Sequence, residues 1–272
     1  MRITTCNVNG VRAAARKGMG QWVEDHAPDV LLLQEVRAPE GMVADLLPGS
    51  WTVIERACEI KGRSGVAICL RPDIKIISST TSLPGEEPVD TGRWVEVTAE
   101  LGGVPVTLIS AYLHSGTATD EVKMAAKYRH LDMVSKRLDE LADEGVQALM
   151  CGDFNIVRGP ADIKNFKPNH NKTSGVLDPE IAYIDRWFSS WRDVHRELAG
   201  EVQGPYTWWS QRGKAFDNDA GWRIDYQMAT PQMAHAATRA NVGRAASYDE
   251  RWSDHAPLTI DYDLDVLGAQ VR

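Results

Sequence analysis

Polar side chains stand where the apolar runs of this chain stop. Asn7 ends the first alternating run, residues 2–8. Glu35 follows the run 30–34, and Tyr112 and His114 follow 104–111. Asp153 and Asn155 follow 148–152. Asp225 sits inside 223–229, and Asp254 and His255 immediately precede 258–262. Singly, each has an ordinary explanation as a turn residue, a cap or a surface acid. Together they describe carboxylates, amides, one tyrosine and one histidine that can meet at one rim of a sheet, although the chain separates them widely. An oxygen-rich site of this kind suits Mg²⁺ or Mn²⁺ rather than zinc.

The elements that must carry these groups recur along the whole chain. Strand-like runs cover 2–8, 30–34, 65–70, 74–78, 94–101, 104–111, 148–152, 223–229 and 258–262. They are apolar or β-branched and end at polar or turn residues. The spacing of Val122, Ala126, Leu131, Val134, Leu138 and Leu141 predicts a helix over 119–144, with Gly145 as its C-cap. Further helices are expected over 18–26 and 179–189. No repeat, low-complexity tract or linker divides the chain. The expectation is one α/β domain spanning 1–272.

Composition sets the outer limits. The chain has 272 residues, 30 Lys+Arg, 38 Asp+Glu and 43% apolar residues. That excludes a disordered chain, a collagen and a disulfide scaffold. A chain this long buries roughly three quarters of its unfolded surface, so folding needs no metal. Cys6, Cys58, Cys69 and Cys151 show no CxxC pair and no zinc-like spacing. The first residues lack the apolar stretch of a secretory signal, and no window approaches a membrane span. A soluble, reduced, cytoplasmic protein is expected.

Net charge is −8, which argues weakly against nucleic acid unless positive charge gathers on one face. Two loop-like segments offer it. Residues 159–177 carry Lys164, Lys167 and Lys172. Residues 204–222 carry Trp208, Trp209, Arg212 and Lys214. Basic side chains interleaved with aromatic rings suit phosphates and bases.

Six stretches carry a resemblance: Cys6-Asn7-Val8-Asn9-Gly10, Leu33-Gln34-Glu35, Ser110-Ala111-Tyr112, Gly152-Asp153-Phe154-Asn155, Gly221-Trp222-Arg223-Ile224-Asp225-Tyr226 and Ser253-Asp254-His255. In this order and spacing the chain resembles the exonuclease III family of apurinic/apyrimidinic endonucleases, within the endonuclease/exonuclease/phosphatase superfamily. The resemblance implies a deoxyribonuclease I-like fold, a four-layer α/β sandwich of two packed mixed sheets flanked by helices. It implies a Mg²⁺-dependent DNA-repair phosphodiesterase (Mn²⁺ being an alternative) that acts as a monomer on duplex DNA with abasic sites or blocked 3′ ends. Glu35 would be the main metal ligand, helped by Asn7 and Asp254. Asp153 would orient and deprotonate the water, with Tyr112 and His255 as rival bases; a phenol of pKa near 10 is a poor base at neutral pH. Asn155 would hold Asp153 or contact the phosphate, and Asp225 would fix the tautomer of His255. Trp208, Trp222 and Ile224 would accept the flipped-out abasic sugar, with Ser115 and Arg223 also at the substrate.

Two departures bear on substrate choice. His114-Ser115-Gly116 stands where the family has Pro-Asn-Gly, and Val36-Arg37 where it has Thr-Lys. The balance of abasic-site cleavage, 3′→5′ exonuclease activity and 3′-end cleaning therefore stays open. The competing readings are a phosphomonoesterase or lipid-headgroup phosphodiesterase of the same superfamily, and a catalytically inactive DNA-binding protein. The nuclease reading predicts a positive face formed by Arg12, Lys61, Arg63, Lys164, Lys167, Lys172, Arg212, Lys214 and Arg223.

Overall fold

A computed structural model describes residues 1–269. The strands are β1 (Arg2–Asn7), β2 (Val30–Gln34), β3 (Thr52–Arg56), β4 (Val66–Leu70), β5 (Ile76–Thr80), β6 (Trp94–Leu101), β7 (Val104–Tyr112), β8 (Gln147–Asp153), β9 (Arg192–Asp193), β10 (Asp225–Ala229), β11 (Ala237–Val242) and β12 (Leu258–Tyr262). They form two six-stranded sheets, ordered β11-β12-β1-β2-β4-β3 and β5-β6-β7-β8-β10-β9. Each sheet holds one parallel pair near its centre, β1 with β2 and β7 with β8; the other pairings are antiparallel.

Alternation along the strands builds the layers. Val30, Leu32, Val66 and Ile68 pack inward against Val95, Val97, Val106, Leu108 and Leu149 of the other sheet. The intervening Leu31, Leu33, Ala67 and Cys69 face outward onto Val11, Met19, Val23 and Val43, which belong to the helices Val11–Arg16, Met19–His26 and Met42–Leu46. On the far side, Ile109, Ala148, Met150 and Met228 pack under Leu131, Val134 and Leu138 of the helix Glu121–Asp143 and Ile184 and Trp187 of the helix Asp178–Trp187. Strands covered on both faces read as continuous apolar runs rather than as alternating ones, which is why β2 and β4 are fully buried. This is the four-layer sandwich expected from the sequence.

Three strands escape the sequence reading. Thr52–Arg56 and Ala237–Val242 are polar edge strands with partly exposed residues, and Arg192–Asp193 has only two residues. Edge strands carry polar residues because one side has no partner. The expected loops also contain order: the segment 159–177 holds a 3-10 turn, Pro160–Asp162, and a short helix, Phe166–Asn169. All four cysteines are free. Among the described residues, no helix is long and apolar enough to cross a membrane.

Candidate active site

Strand direction brings the polar residues to one rim. β1 and β2 run parallel with Asn7 beside Gln34. β7 and β8 run parallel with Tyr112 beside Asp153. Antiparallel β10 starts where β8 ends, Asp225 opposite Asp153. β12 starts opposite Thr5, so Asp254 and His255 lie over the end of β1.

Buried polar contacts lock the rim. The Gln34 amide donates to Ser110 Oγ at 3.0 Å, and Ser110 Oγ donates to the Leu33 carbonyl at 3.1 Å, joining the two sheets next to Glu35 and Tyr112. Ser253 Oγ donates to the Asn7 carbonyl at 2.6 Å and accepts from the His255 amide at 3.2 Å. Gly152 has φ +142°, and a Cβ there would lie 1.9 Å from the Ala111 carbonyl oxygen. Only glycine lets β7 and β8 approach so closely one residue before Asp153. Asn9, Glu35 and Asn155 also adopt positive φ, at +45°, +50° and +52°. Non-glycine residues held this way cluster at functional sites.

The side chains interlock. Asn7 Nδ2 donates to Glu35 Oε1 and to Asp153 Oδ2, both at 2.9 Å. Asn155 donates to Asp153 through its backbone N–H at 2.9 Å and its amide at 3.2 Å. His255 Nδ1 lies 2.8 Å from Asp225 Oδ2, and its Nε2 lies 3.7 Å from Asp153 Oδ2. Asp254 accepts from Asn9 Nδ2 at 2.9 Å and from Trp208 Nε1 at 3.2 Å.

Burial and neighbouring charge set the proton affinities. Burial would push the His255 imidazole down, but Asp225 and then Asp153 hold its pKa up at about 10. Burial raises Asp153 to about 7 against the opposing pull of His255, and the charges of Asp225 and Glu35 add to the rise. Burial, then Glu35 and Asp153, push the Tyr112 phenol well above 10. At neutral pH, therefore, His255 is an imidazolium and Tyr112 a neutral phenol.

Glu35, Tyr112, Asp153, Asn155, Asp254 and His255 line a cavity of ≈ 640 Å³, with Asn7 and Asp225 buried behind them. Trp208, Trp222 and Ile224 form one wall, the two indoles edge to face at 5.7 Å. Ser115, Thr117, Thr119, Thr173 and Ser174 make another stretch of the wall hydroxyl-rich, and Lys172 adds an ammonium group.

The sequence pattern of the Endonuclease/Exonuclease/phosphatase family matches residues 4–255. The chain belongs to that family. It is 28% identical to an exodeoxyribonuclease of Bacillus subtilis, over 96% of this chain and 98% of that protein. The solved structure of the 3′ phosphatase NExo from Neisseria, bound to a product DNA hairpin, superposes with a TM-score of 0.81 at 28% identity, covering 97% of this chain and 99% of that one. An AP endonuclease from Archaeoglobus fulgidus shares the fold, with a TM-score of 0.80 at 24% identity over 97% and 99% of the two chains.

Within this member of the Endonuclease/Exonuclease/phosphatase family, the structure gathers Asn7, Glu35, Tyr112, Asp153, Asn155, Asp225 and His255 at one site, with Asp254, Ser115, Trp208, Trp222 and Ile224 along the same cavity. Arg223 corrects the sequence reading. Expected at the substrate and on the positive face, it is fully buried. Its guanidinium donates to Asp162 at 2.7 Å and to Asp193 at 3.0 and 2.7 Å, so it cannot reach DNA. Trp209 packs with Tyr206 and Phe216 in a core cluster instead of facing the cavity. His114 turns away too, its Nε2 2.8 Å from Asp90 Oδ1 and its ring edge-on to His130; the departure from Pro-Asn-Gly is felt in the cavity through Ser115 alone. Asn9 is a site residue that the sequence does not single out. The signal is its place in Asn7-Val8-Asn9-Gly10, where a second amide next to a turn glycine looks like turn chemistry.

The site can hold a cation. Glu35, Asp153 and Asp225 supply carboxylate oxygens, and Asp225 Oδ1 is buried with no hydrogen-bond partner. Asp153, Asp225 and His255 each present an atom within 4.8 Å of the others. Both nitrogens of His255 face carboxylates, Nδ1 that of Asp225 and Nε2 that of Asp153. The cation-binding capacity therefore falls to oxygen donors, which fit a hard divalent ion. Arg37 pairs with the second oxygen of Glu35.

Proposed function

We propose that this protein is a Mg²⁺-dependent DNA-repair phosphodiesterase that cleaves duplex DNA 5′ of abasic sites, with 3′→5′ exonuclease and 3′-end-cleaning activity at the same site. The chain works as one domain and as a monomer. The observation that carries the reading is His255, set between Asp225 and Asp153 on a cavity with an aromatic wall. The names of the relatives, an exodeoxyribonuclease and a DNA-bound 3′ phosphatase, support it.

Hydrolysis sends water onto phosphorus in line with the departing 3′-oxygen. Glu35 would hold the Mg²⁺, helped by Asn7 and Asp254, whose side-chain oxygens stand at the same rim. When bound, the ion supplies charge neutralisation at the phosphoryl and leaving oxygens. Asp153, with a pKa near neutrality, accepts the proton of the attacking water. Asn155 orients Asp153. His255 donates from Nε2 to a phosphoryl oxygen, where charge develops. Asp225 keeps that ring protonated and aligned, and Tyr112 donates as a neutral phenol. Trp208, Trp222 and Ile224 receive a sugar without a base, and Lys172, exposed at the cavity, meets a flanking phosphate.

The test is a duplex carrying one abasic-site analogue, incubated with Mg²⁺ or with EDTA, beside the Glu35→Ala variant. Strand cleavage at the analogue that needs both Mg²⁺ and Glu35 is expected. The same gel reads 3′ trimming. Absence of cleavage, with release of inorganic phosphate from a soluble monoester instead, would move the protein to the phosphatase branch.

A further inference from the structure

Behind the hydroxyl-rich wall lies an ion pair that the chemistry above does not use. Lys127, on the helix Glu121–Asp143, and Glu180, on the helix Asp178–Trp187, meet at 2.7 Å with no exposure of either side chain. Neither lines the cavity. Their hydrogen bonds run to the segments that do. Lys127 Nζ donates to the Ser115 carbonyl at 3.2 Å, the Asn155 carbonyl at 3.3 Å and Ser174 Oγ at 3.3 Å. Glu180 accepts from Ser174 Oγ at 2.8 Å and from the Gly175 and Leu177 amides at 2.5 and 3.1 Å.

The packing around the pair leaves no slack. A Cβ on Gly116 would lie 2.6 Å from Ser174 Oγ and 3.1 Å from the Lys127 side chain, and one on Gly175 would lie 2.6 Å from the Asn155 carbonyl oxygen. Both glycines have positive φ. Segments from three separate parts of the chain are thus pressed together at the one place where two opposite charges are buried. Removing one partner of such a pair is strongly destabilising, whereas neutralising both often is not. A buried pair is therefore poor value as a stabiliser, and its use here lies in what it fixes.

We propose that Lys127 and Glu180 are positioning residues: their ion pair clamps the Ser115 and Ser174 segments against the Asn155 turn and thereby sets the placement of Asn155, and through it Asp153, against the substrate. The proposal rests on the nuclease reading for its kinetic consequence, but its structural half stands apart from it. Misplacing a catalytic group by about 1 Å costs on the order of 100-fold in rate.

The experiment uses the full chain with both charges removed, Lys127→Met with Glu180→Gln. With the abasic-analogue duplex and Mg²⁺, kcat is expected to fall about 10- to 100-fold. Affinity for Mn²⁺ by calorimetry should stay within about 2-fold, since Glu35 is untouched, and the melting temperature should stay near that of the parent. Parental kcat and KM in the folded double variant would overturn the proposal. Amide exchange of the parent is a second measurement that needs no variant and no activity. The Gly175 and Leu177 amides should be protected to the level of the central strands, and exchange at the rate of an open loop would overturn the clamp. If the parent cuts no DNA, the nuclease reading fails, and amide exchange still decides the clamp.

Discussion

Nδ1 of His255 and Oδ2 of Asp225 lie 2.8 Å apart, both groups buried, while the other oxygen of Asp225 has no partner. The charge on Asp225 is the largest single influence keeping His255 protonated against the cost of burial. Asp225→Asn withdraws it. The parent's kcat should rise as Asp153 loses its proton at about 7 and then hold until His255 titrates at about 10. The variant should lose kcat by on the order of 100-fold at pH 7, and its alkaline limb should move down towards neutrality. A kcat profile between pH 6 and pH 10 measures this. A variant profile parallel to the parent's would show that Asp225 does not govern the proton on His255.

His195 contributes to the loss of stability in acid. It is buried, its Nδ1 has no partner, and burial, then Arg223, lower its pKa from 6.5 to about 3. Below pH 6.5 the unfolded chain takes up a proton that the folded chain refuses, so stability falls as pH drops from about 6.5 towards 3. His195→Gln should remove that loss. At pH 5, relative to pH 7, urea denaturation should show the parent losing up to about 2 kcal/mol more than the variant.

Arg223 and Lys172 separate structure from DNA contact. Arg223→Met leaves Asp162 and Asp193 buried beside an apolar side chain. Arg196 still reaches Asp162, but the loss should be about 3–5 kcal/mol of folding stability. Lys172→Ala should leave stability nearly unchanged and reduce the magnitude of the salt slope of DNA binding by about 0.9. Denaturant midpoints and binding isotherms at several salt concentrations test both, and an equal effect of the two substitutions on the salt slope would contradict the assignment.

Gly152→Ala places a methyl group against the Ala111 carbonyl, where no movement of a flexible side chain can relieve it. The central β7–β8 pairing beside Tyr112 and Asp153 must then open. Loss of activity on the abasic duplex together with a lowered melting temperature is expected. Full activity would mean that the rim tolerates a wider separation of these strands.

Much of the architecture can be read along the chain because it rests on local pattern. Runs such as Val30–Gln34, Trp94–Leu101 and Leu258–Tyr262 coincide with strands residue for residue, the first because cover on both faces demands apolar residues and the other two because apolar and polar residues alternate along them. Glu35, Asp153 and His255 are equally legible, because each stands at the point where such a run stops. The edge strands Thr52–Arg56 and Ala237–Val242 are not, because a half-covered strand carries the polar residues of a loop.

Partners are what the sequence alone leaves undecided. It identifies Arg223 as a cation next to Asp225, but only folding brings Asp162 and Asp193 to it and turns a candidate DNA contact into buried scaffold. It shows His114 as a departure beside the site, and the tertiary structure takes that ring away to Asp90. It shows Lys127 as one basic residue on an amphipathic helix, and only the packing of a second helix sets Glu180 against it. Residue type and spacing are local properties of the chain. Which charges meet, and how deeply, follows from contacts between segments dozens of residues apart, and these exist only once the two sheets and their helices have closed on one another.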